Sequence, residues 1–333
     1  MKNKMLFIGI LFSTSFFACD KGGNKPVENT EVRVVEKQVD VPSFNADSAY
    51  LFIAKQVAFG PRVPNTSAHR NTGAYLEKML KENGAEVTIQ NFEATAYDGK
   101  ILFLENIIGS FNPKAKKRIL LAAHWDTRPF ADQDTVDQRK PIDGANDGAS
   151  GVGILLELAR TIGQAAKKPE VGVDIIFFDG EDYGQPDFDK GKGNSENSWC
   201  LGSQYWSKNK HKENYSAYYG ILLDMAGAKD ARFAMEGASM RYAPSIVKKV
   251  WSTAQKNGFG DVFVFEQVPG IIDDHAYVND LAKIPMIDII EYNGKNDRYF
   301  GDYWHTHNDN MDVIGKGTLK AVGQTLLEVL YRE

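Results

Sequence analysis

The chain has 333 residues, 43% hydrophobic and 25% charged, which is enough apolar material to bury a full globular core. Its net charge is -5 and its lysines are scattered rather than striped, leaving no basic face for nucleic acid.

At the start of the chain, Lys2 and Lys4 precede an apolar run from Met5 to Phe17 that ends at Ala18-Cys19. A basic start followed by an apolar stretch too short to span a bilayer has the layout of a signal peptide, here residues 1–18. Phe16-Phe17-Ala18-Cys19 resembles a loose bacterial lipobox. The mature chain is therefore expected to be exported, as a periplasmic or membrane-anchored lipoprotein of a Gram-negative bacterium. The lipid on Cys19 would be its only membrane contact. Cys200 is then the single remaining thiol, so no internal disulfide is available and packing must stabilise the core. Residues 19–42 are rich in Lys, Glu, Asn, Val and Pro without a sustained apolar face, which suits a flexible tether. One folded domain is expected over 43–333, and a monomer is the default.

From Phe44 onward, short apolar runs alternate with amphipathic stretches. The periodicity predicts helices over 67–83, 151–162, 242–257 and 317–331. It predicts strands over 87–92, 102–108, 118–123, 173–178, 220–225 and 284–289. Such alternation argues for an α/β sandwich. Residues 185–198 are polar and read as a long loop.

Several predicted strands end in residues that carry chemistry. The run 118–123 leads into His124-Trp125-Asp126, with the Asp placed to orient the imidazole. Asp143 to Gly151 is a small-residue turn opening a helix, with Asp147 where backbone must approach a ligand closely or where it would cap the helix. The run 173–178 stops at Asp179-Gly180-Glu181-Asp182, whose adjacent carboxylates point in different directions, so that one can hold a metal while the other moves protons. The run 221–223 ends at Asp224. Acids at several strand ends are best explained by one site, since that rim is where open α/β sheets bind ligands. Asp273-Asp274-His275 and Trp304-His305-Thr306-His307 follow. His305 and His307 alternate, so only one can join the cluster, whereas His69 and His211 sit in polar sequence and are expected at the surface.

The ordered set His124-x-Asp126, Gly144-Ala145-x-Asp147, Glu181-Asp182, Asp224 and a late His resembles the M28 zinc peptidase family over roughly residues 44–333. The resemblance implies a three-layer α/β/α sandwich with a central twisted mixed sheet. In the family's dinuclear aminopeptidases, the equivalents of His124, Asp147, Asp182, Asp224 and His305 bind two zincs and that of Glu181 is the general base. In its glutaminyl cyclase branch one zinc remains, held by the equivalents of Asp147, Asp182 and His305. Phe177 to Glu181, Asp273-Asp274-His275 and Trp304-His305-Thr306 are most similar to the cyclases. Animal cyclases carry Glu in place of Asp182, which remains a competent zinc ligand, and a second pocket Trp soon after the acidic pair. Here Tyr183-Gly184-Gln185-Pro186 follows, and Trp199 is the expected substitute.

The resemblance thus implies a glutaminyl-peptide cyclotransferase acting on peptides and proteins with N-terminal Gln, with one zinc per chain. Metal ligands would be Asp147, Asp182 and His305; catalytic residues Glu181, Asp224 and Asp273; substrate contacts Trp304, Trp199 and Ile272. Glu181 would shuttle the proton, its pKa raised by Asp224 and Asp273. The alternative is a dinuclear aminopeptidase using His124 and Asp224 for a second zinc. A non-catalytic binding protein would lack a ligand or the base, and neither is missing.

Overall fold

In the computed structural model the described residues are 39–193, 197–294 and 299–333. The expected signal peptide, Cys19 and all of the tether up to residue 38 lie outside the described residues. The elements in chain order are α1 (Ala46–Val57), α2 (Ser67–Glu82), β1 (Glu86–Thr95), β2 (Ile101–Phe111), β3 (Arg118–His124), α3 (Ala149–Gln164) and β4 (Gly172–Phe178). They continue with α4 (Leu201–Lys208), β5 (Tyr219–Asp224), β6 (Phe233–Met235), α5 (Gly237–Tyr242), α6 (Pro244–Lys256) and β7 (Phe263–Gln267). The last are α7 (Asp274–Tyr277), running into a π-helical turn over 278–282, then β8 (Met286–Ile290) and α8 (Lys316–Tyr331).

Six strands form one mixed sheet in the order β1-β2-β4-β3-β5-β8. The β1/β2 and β2/β4 pairs are antiparallel, and β4, β3, β5 and β8 run parallel. Every residue of β3 and β4 is buried, as expected of strands covered on both faces. Alternation divides their side chains between two cores. Leu121, Ala123, Ile175, Phe177, Ile221 and Leu223 face the larger one, beneath α1, α3, α6 and α8. Leu120, Ala122, Ile176, Phe178 and Leu222 face a smaller one with Trp206 of α4 and Val278. The molecule is a three-layer α/β/α sandwich, as the family resemblance implies.

Two boundaries differ from expectation. The compact unit runs Val39–Glu333, and Val39 and Val41, read from sequence as tether, pack against the larger core. Helix α1 has no counterpart in the predicted elements, although Asn45 caps it by accepting the N–H groups of Asp47 and Ser48. Among the described residues no helix is long and apolar enough to cross a membrane.

Candidate metal centre and active site

The sheet order places β3 between β4 and β5, so the chain leaves β3 for one side and later crosses to the other. That reversal opens a crevice at the carboxyl ends of the three strands, where a ligand can enter. His124 ends β3, Asp224 ends β5, and Asp179-Gly180-Glu181-Asp182 is the turn leaving β4. Asp147 enters from the loop before α3, where Gly148 holds φ at 92°. A Cβ there would lie 2.7 Å from the Asp126 carbonyl, so only glycine fits.

Asp147 is shared by two groups of potential metal donors. Asp147, Asp182 and His305 present one donor atom each, all within 4.8 Å of one another, and so do His124, Asp147 and Asp224. In the first group His305 Nε2 lies 3.3 Å from Asp182 Oδ1 and 3.7 Å from Asp147 Oδ2. In the second, His124 Nε2 lies 3.0 Å from Asp147 Oδ1 and 3.2 Å from Asp224 Oδ1. All three residues of the first group are buried, and Asp182 Oδ2 has no hydrogen-bond partner. Two buried carboxylates and an imidazole, with one carboxylate oxygen left without a partner, are a donor set that zinc takes. Zinc fits this group.

Charge within the crevice is strongly perturbed. Burial and then the neighbouring Asp147 raise the Asp182 pKa, whereas for Asp147 the imidazoles of His124 and His305 outweigh burial and lower it. Burial would depress His124, but its contacts with Asp126, Asp147 and Asp224 hold it well above the usual histidine range. Burial, Asp182, Asp273 and Asp274 push Glu181 far up, against the pull of His124. Asp273 is thus one of the acids that raise Glu181, as expected, while Asp224 pairs with His124 and is itself pushed up to about 7 by burial.

The ligands are held from behind by residues the sequence did not single out. His305 Nδ1 lies 3.3 Å from Asp132 Oδ1, and Arg128 grips both oxygens of Asp132 at 2.7 and 2.9 Å. The same guanidinium donates to the Asp182 and Gly184 carbonyls, tying both ligand-bearing turns together. Asp309 accepts the N–H groups of Asn146 and Asp147 at 2.7 and 3.0 Å, and buried Arg62 donates to the Asp143 and Gly144 carbonyls. Asp126, expected to orient His124, is 3.5 Å from its Nδ1 and takes its better hydrogen bonds from the Glu181 and Asp182 N–H groups at 3.0 and 3.1 Å. It fixes the acidic turn as much as the imidazole.

Aromatic rings line the mouth. Trp304 stacks on His305 with centroids 3.8 Å apart, and Trp199 lies 6.2 Å away on a ring plane within 4° of that of His305. Trp199 also covers the Arg128 guanidinium at 4.5 Å, and it packs on Gly184, where a Cβ would come within 1.8 Å of the indole. Tyr183-Gly184 therefore seats the indole that the loop delivers. Ile272 is 79% exposed beside Asp273, an apolar side chain on the rim. Deeper in, Glu181 Oε1 accepts from Cys200 Sγ at 3.3 Å, and one atom each of Glu181, Cys200 and Asp273 fall within 4.8 Å of one another.

The structure thus brings Asp147, Asp182, His305, Glu181, Asp224, Asp273, Trp199 and Trp304 together. His305 points in while His307 faces Asp134 at 2.9 Å, so one of the alternating pair joins the site. The surface expectation for His69 is overturned. It is 3% exposed, bonded to Asp179 at 2.9 Å and stacked on Trp125, because the polar sequence around it belongs to the outer face of α2. His211 is half-buried and accepts from the Trp206 indole N–H.

Carboxylates and imidazoles converging at the carboxyl rim of a mixed sheet, with an acid beside them, have the layout of an enzyme site able to hold a metal. The chain belongs to peptidase family M28, whose model matches residues 106–330. A glutaminyl cyclase from Bacteroides thetaiotaomicron, solved bound to N-acetylhistamine, is 55% identical, with a TM-score of 0.85 over 88% of this chain and 100% of that one. Glutaminyl-peptide cyclotransferase of Drosophila melanogaster is 28% identical over 88% of this chain and 81% of its own length. Aminopeptidase YwaD of Bacillus subtilis is 25% identical over 97% of this chain, and the match spans 65% of that protein's length.

Proposed function

We propose that this chain is a glutaminyl-peptide cyclotransferase that converts N-terminal Gln of peptides and proteins to pyroglutamate with release of ammonia. The observation that carries the reading is the pairing of the Asp147, Asp182, His305 donor group with two indoles, Trp304 and Trp199, beside the acid Glu181. Similarity to a glutaminyl cyclase across the whole of that chain supports it.

Cyclisation needs the substrate's α-amine to attack its own side-chain amide, so the protein must fold the substrate back on itself, and no water nucleophile is required. The two indoles give an apolar slot for the Gln methylenes that favours the near-attack conformer. Asp147, Asp182 and His305 would hold a single zinc, whose chemistry there would be Lewis-acid polarisation of the γ-carboxamide. Glu181 accepts the proton of the attacking amine and returns it to the departing nitrogen, and its elevated pKa suits both transfers. Cys200 and Asp273 hold that carboxyl in place. Ile272 on the rim contacts the residues after Gln.

Incubation with an N-terminal Gln peptide should give loss of ammonia with peptide bonds intact; release of free amino acid would overturn the reading. Glu181→Gln should lower turnover by about 100-fold or more while zinc content stays at one per chain, because the residue is assigned proton transfer and no ligand role. A second reading, a dinuclear aminopeptidase, is favoured by the His124, Asp147, Asp224 group. Two tightly held zincs per chain, with hydrolysis of aminoacyl amides, would establish it. Export and lipid attachment at Cys19 belong to the proposal on the strength of residues 1–19, and radiolabelled fatty acid incorporation that is lost in Cys19→Ala tests them.

A further inference from the structure

Behind Glu181 the structure gathers seven buried side-chain atoms without a hydrogen-bond partner: Asp273 Oδ2, both oxygens of Asp274, both ring nitrogens of His275 and both oxygens of Asp288. Buried polar atoms are rarely left this way unless an arrangement of function requires it. Asp273, His275 and Asp288 each place one atom within 4.8 Å of the others, and Asp273 stands in the same relation to Glu181 and Cys200. The chain of groups does not stop at Asp288. His275, fully buried, has Nδ1 3.7 Å from Asp288 and Nε2 3.3 Å from Glu236.

Glu236 is where this chain of groups is fastened. One of its oxygens accepts the N–H groups of Ala238 and Ile271 at 2.6 and 2.9 Å, and the other that of Ser239 at 2.6 Å. The same carboxylate therefore fixes the first turn of α5 and the loop that ends at Ile272-Asp273. Loop and helix touch so closely that a Cβ on Gly270 would lie 2.8 Å from the Ala238 nitrogen. From α5, Ser239 Oγ accepts the Asp288 N–H at 2.9 Å.

We propose that His275 and Glu236 are positioning residues for the reaction, holding Asp273 against Glu181 through Asp288 and the loop 268–273. Neither touches the substrate or the metal group; they act by keeping Asp273 and Asp288 in place behind Glu181. Support of this kind sets the geometry of a base more than the binding of substrate. The proposal rests on the cyclase reading of Glu181.

The test measures cyclisation of a Gln peptide by zinc-loaded wild type and by Glu236→Ala, Glu236→Gln, His275→Ala and His275→Asn, with zinc content and thermal midpoint recorded. Both alanine variants should lose at least tenfold in kcat with KM within twofold and zinc unchanged, and the Gln and Asn variants should regain part of the loss. If the alanine variants do not fold, the same split between kcat and KM is read from the Gln and Asn variants. A folded set with kcat within twofold of wild type, or a loss that follows zinc content or KM, overturns the positioning role. Wild type that releases no ammonia overturns the cyclase reading instead.

Discussion

At the residue scale, the behaviour of His305 depends on a partner distant in sequence. Its Nδ1 faces Asp132, whose carboxylate is gripped by Arg128 and pushed below the usual range, because the guanidinium and His305 outweigh burial. The imidazole presents Nε2 to the pocket while Nδ1 is turned toward that carboxylate. Asp132→Asn should therefore weaken zinc binding by about 10- to 100-fold, measured by chelator competition, with the fold retained. An unchanged affinity would show that Trp304 stacking alone orients the ring. The ligands themselves were legible in the sequence because each stands next to a strand end or a small-residue turn. Asp132, Arg128 and Asp309 were not, because they lie in irregular loops where no periodicity marks a side chain as buried. His69 misled for a related reason: α2 is polar on average, and only its packing against Trp125 and Asp179 takes the imidazole out of water.

At the scale of elements, the site is a product of strand ends and of the turns that glycine permits. Gly180 and Gly148 hold positive φ where the acidic turn packs on the Leu104 side chain and the α3 entry approaches the Asp126 carbonyl, and the turn after Gly180 seats Trp199 on Gly184. Gly184→Ala would place a methyl inside the indole's space, so Trp199 must swing away from its position over Arg128. The expected result is a KM for Gln peptides raised by about 2- to 10-fold, the worth of one aromatic contact, with zinc content unchanged. Steady-state kinetics on zinc-loaded enzyme checks this, and an unaltered KM would remove Trp199 from the substrate slot. The long strands and the helices α2, α3, α6 and α8 were readable because each buries a continuous apolar pattern. Short elements such as α5, α7, β6 and β7 were not, since three to six residues carry too little periodicity to register and are set by tertiary contacts.

For the whole molecule, the consequence of burying so many acids is a stability that depends on pH and metal together. Asp224 and Asp309 are both pushed up to about 7, chiefly by burial, with Asp273 and Asp147 respectively as like-charged neighbours, although His124 and backbone N–H groups pull the other way. A carboxyl whose folded pKa lies above its unfolded value of about 3.9 binds protons more tightly in the native state. Its contribution is fully present below that unfolded value and is lost as pH rises through about 7. Glu236 has the opposite sign: the nearby His275 imidazole and the N–H groups of Ser239 and Ala238 outweigh burial and lower it to about 2, so its contribution is present above about 4.5 and is lost as pH falls toward 2. Between those limits, zinc-stripped protein should become steadily less stable from pH 5 to pH 8, as the clustered carboxyls of the crevice are forced to ionise together. Zinc reverses this, because it binds the deprotonated ligands of the native state and releases their protons. A hundredfold excess of zinc over its Kd adds about 2.7 kcal/mol, and for a chain of this size each kcal/mol moves the thermal midpoint by roughly 2–4 °C. Calorimetry of stripped and zinc-loaded protein should therefore show midpoints that diverge as pH rises from 5 to 8. Parallel curves would mean that the crevice acids stay neutral without the metal, and that the charge cluster is compensated from within the protein.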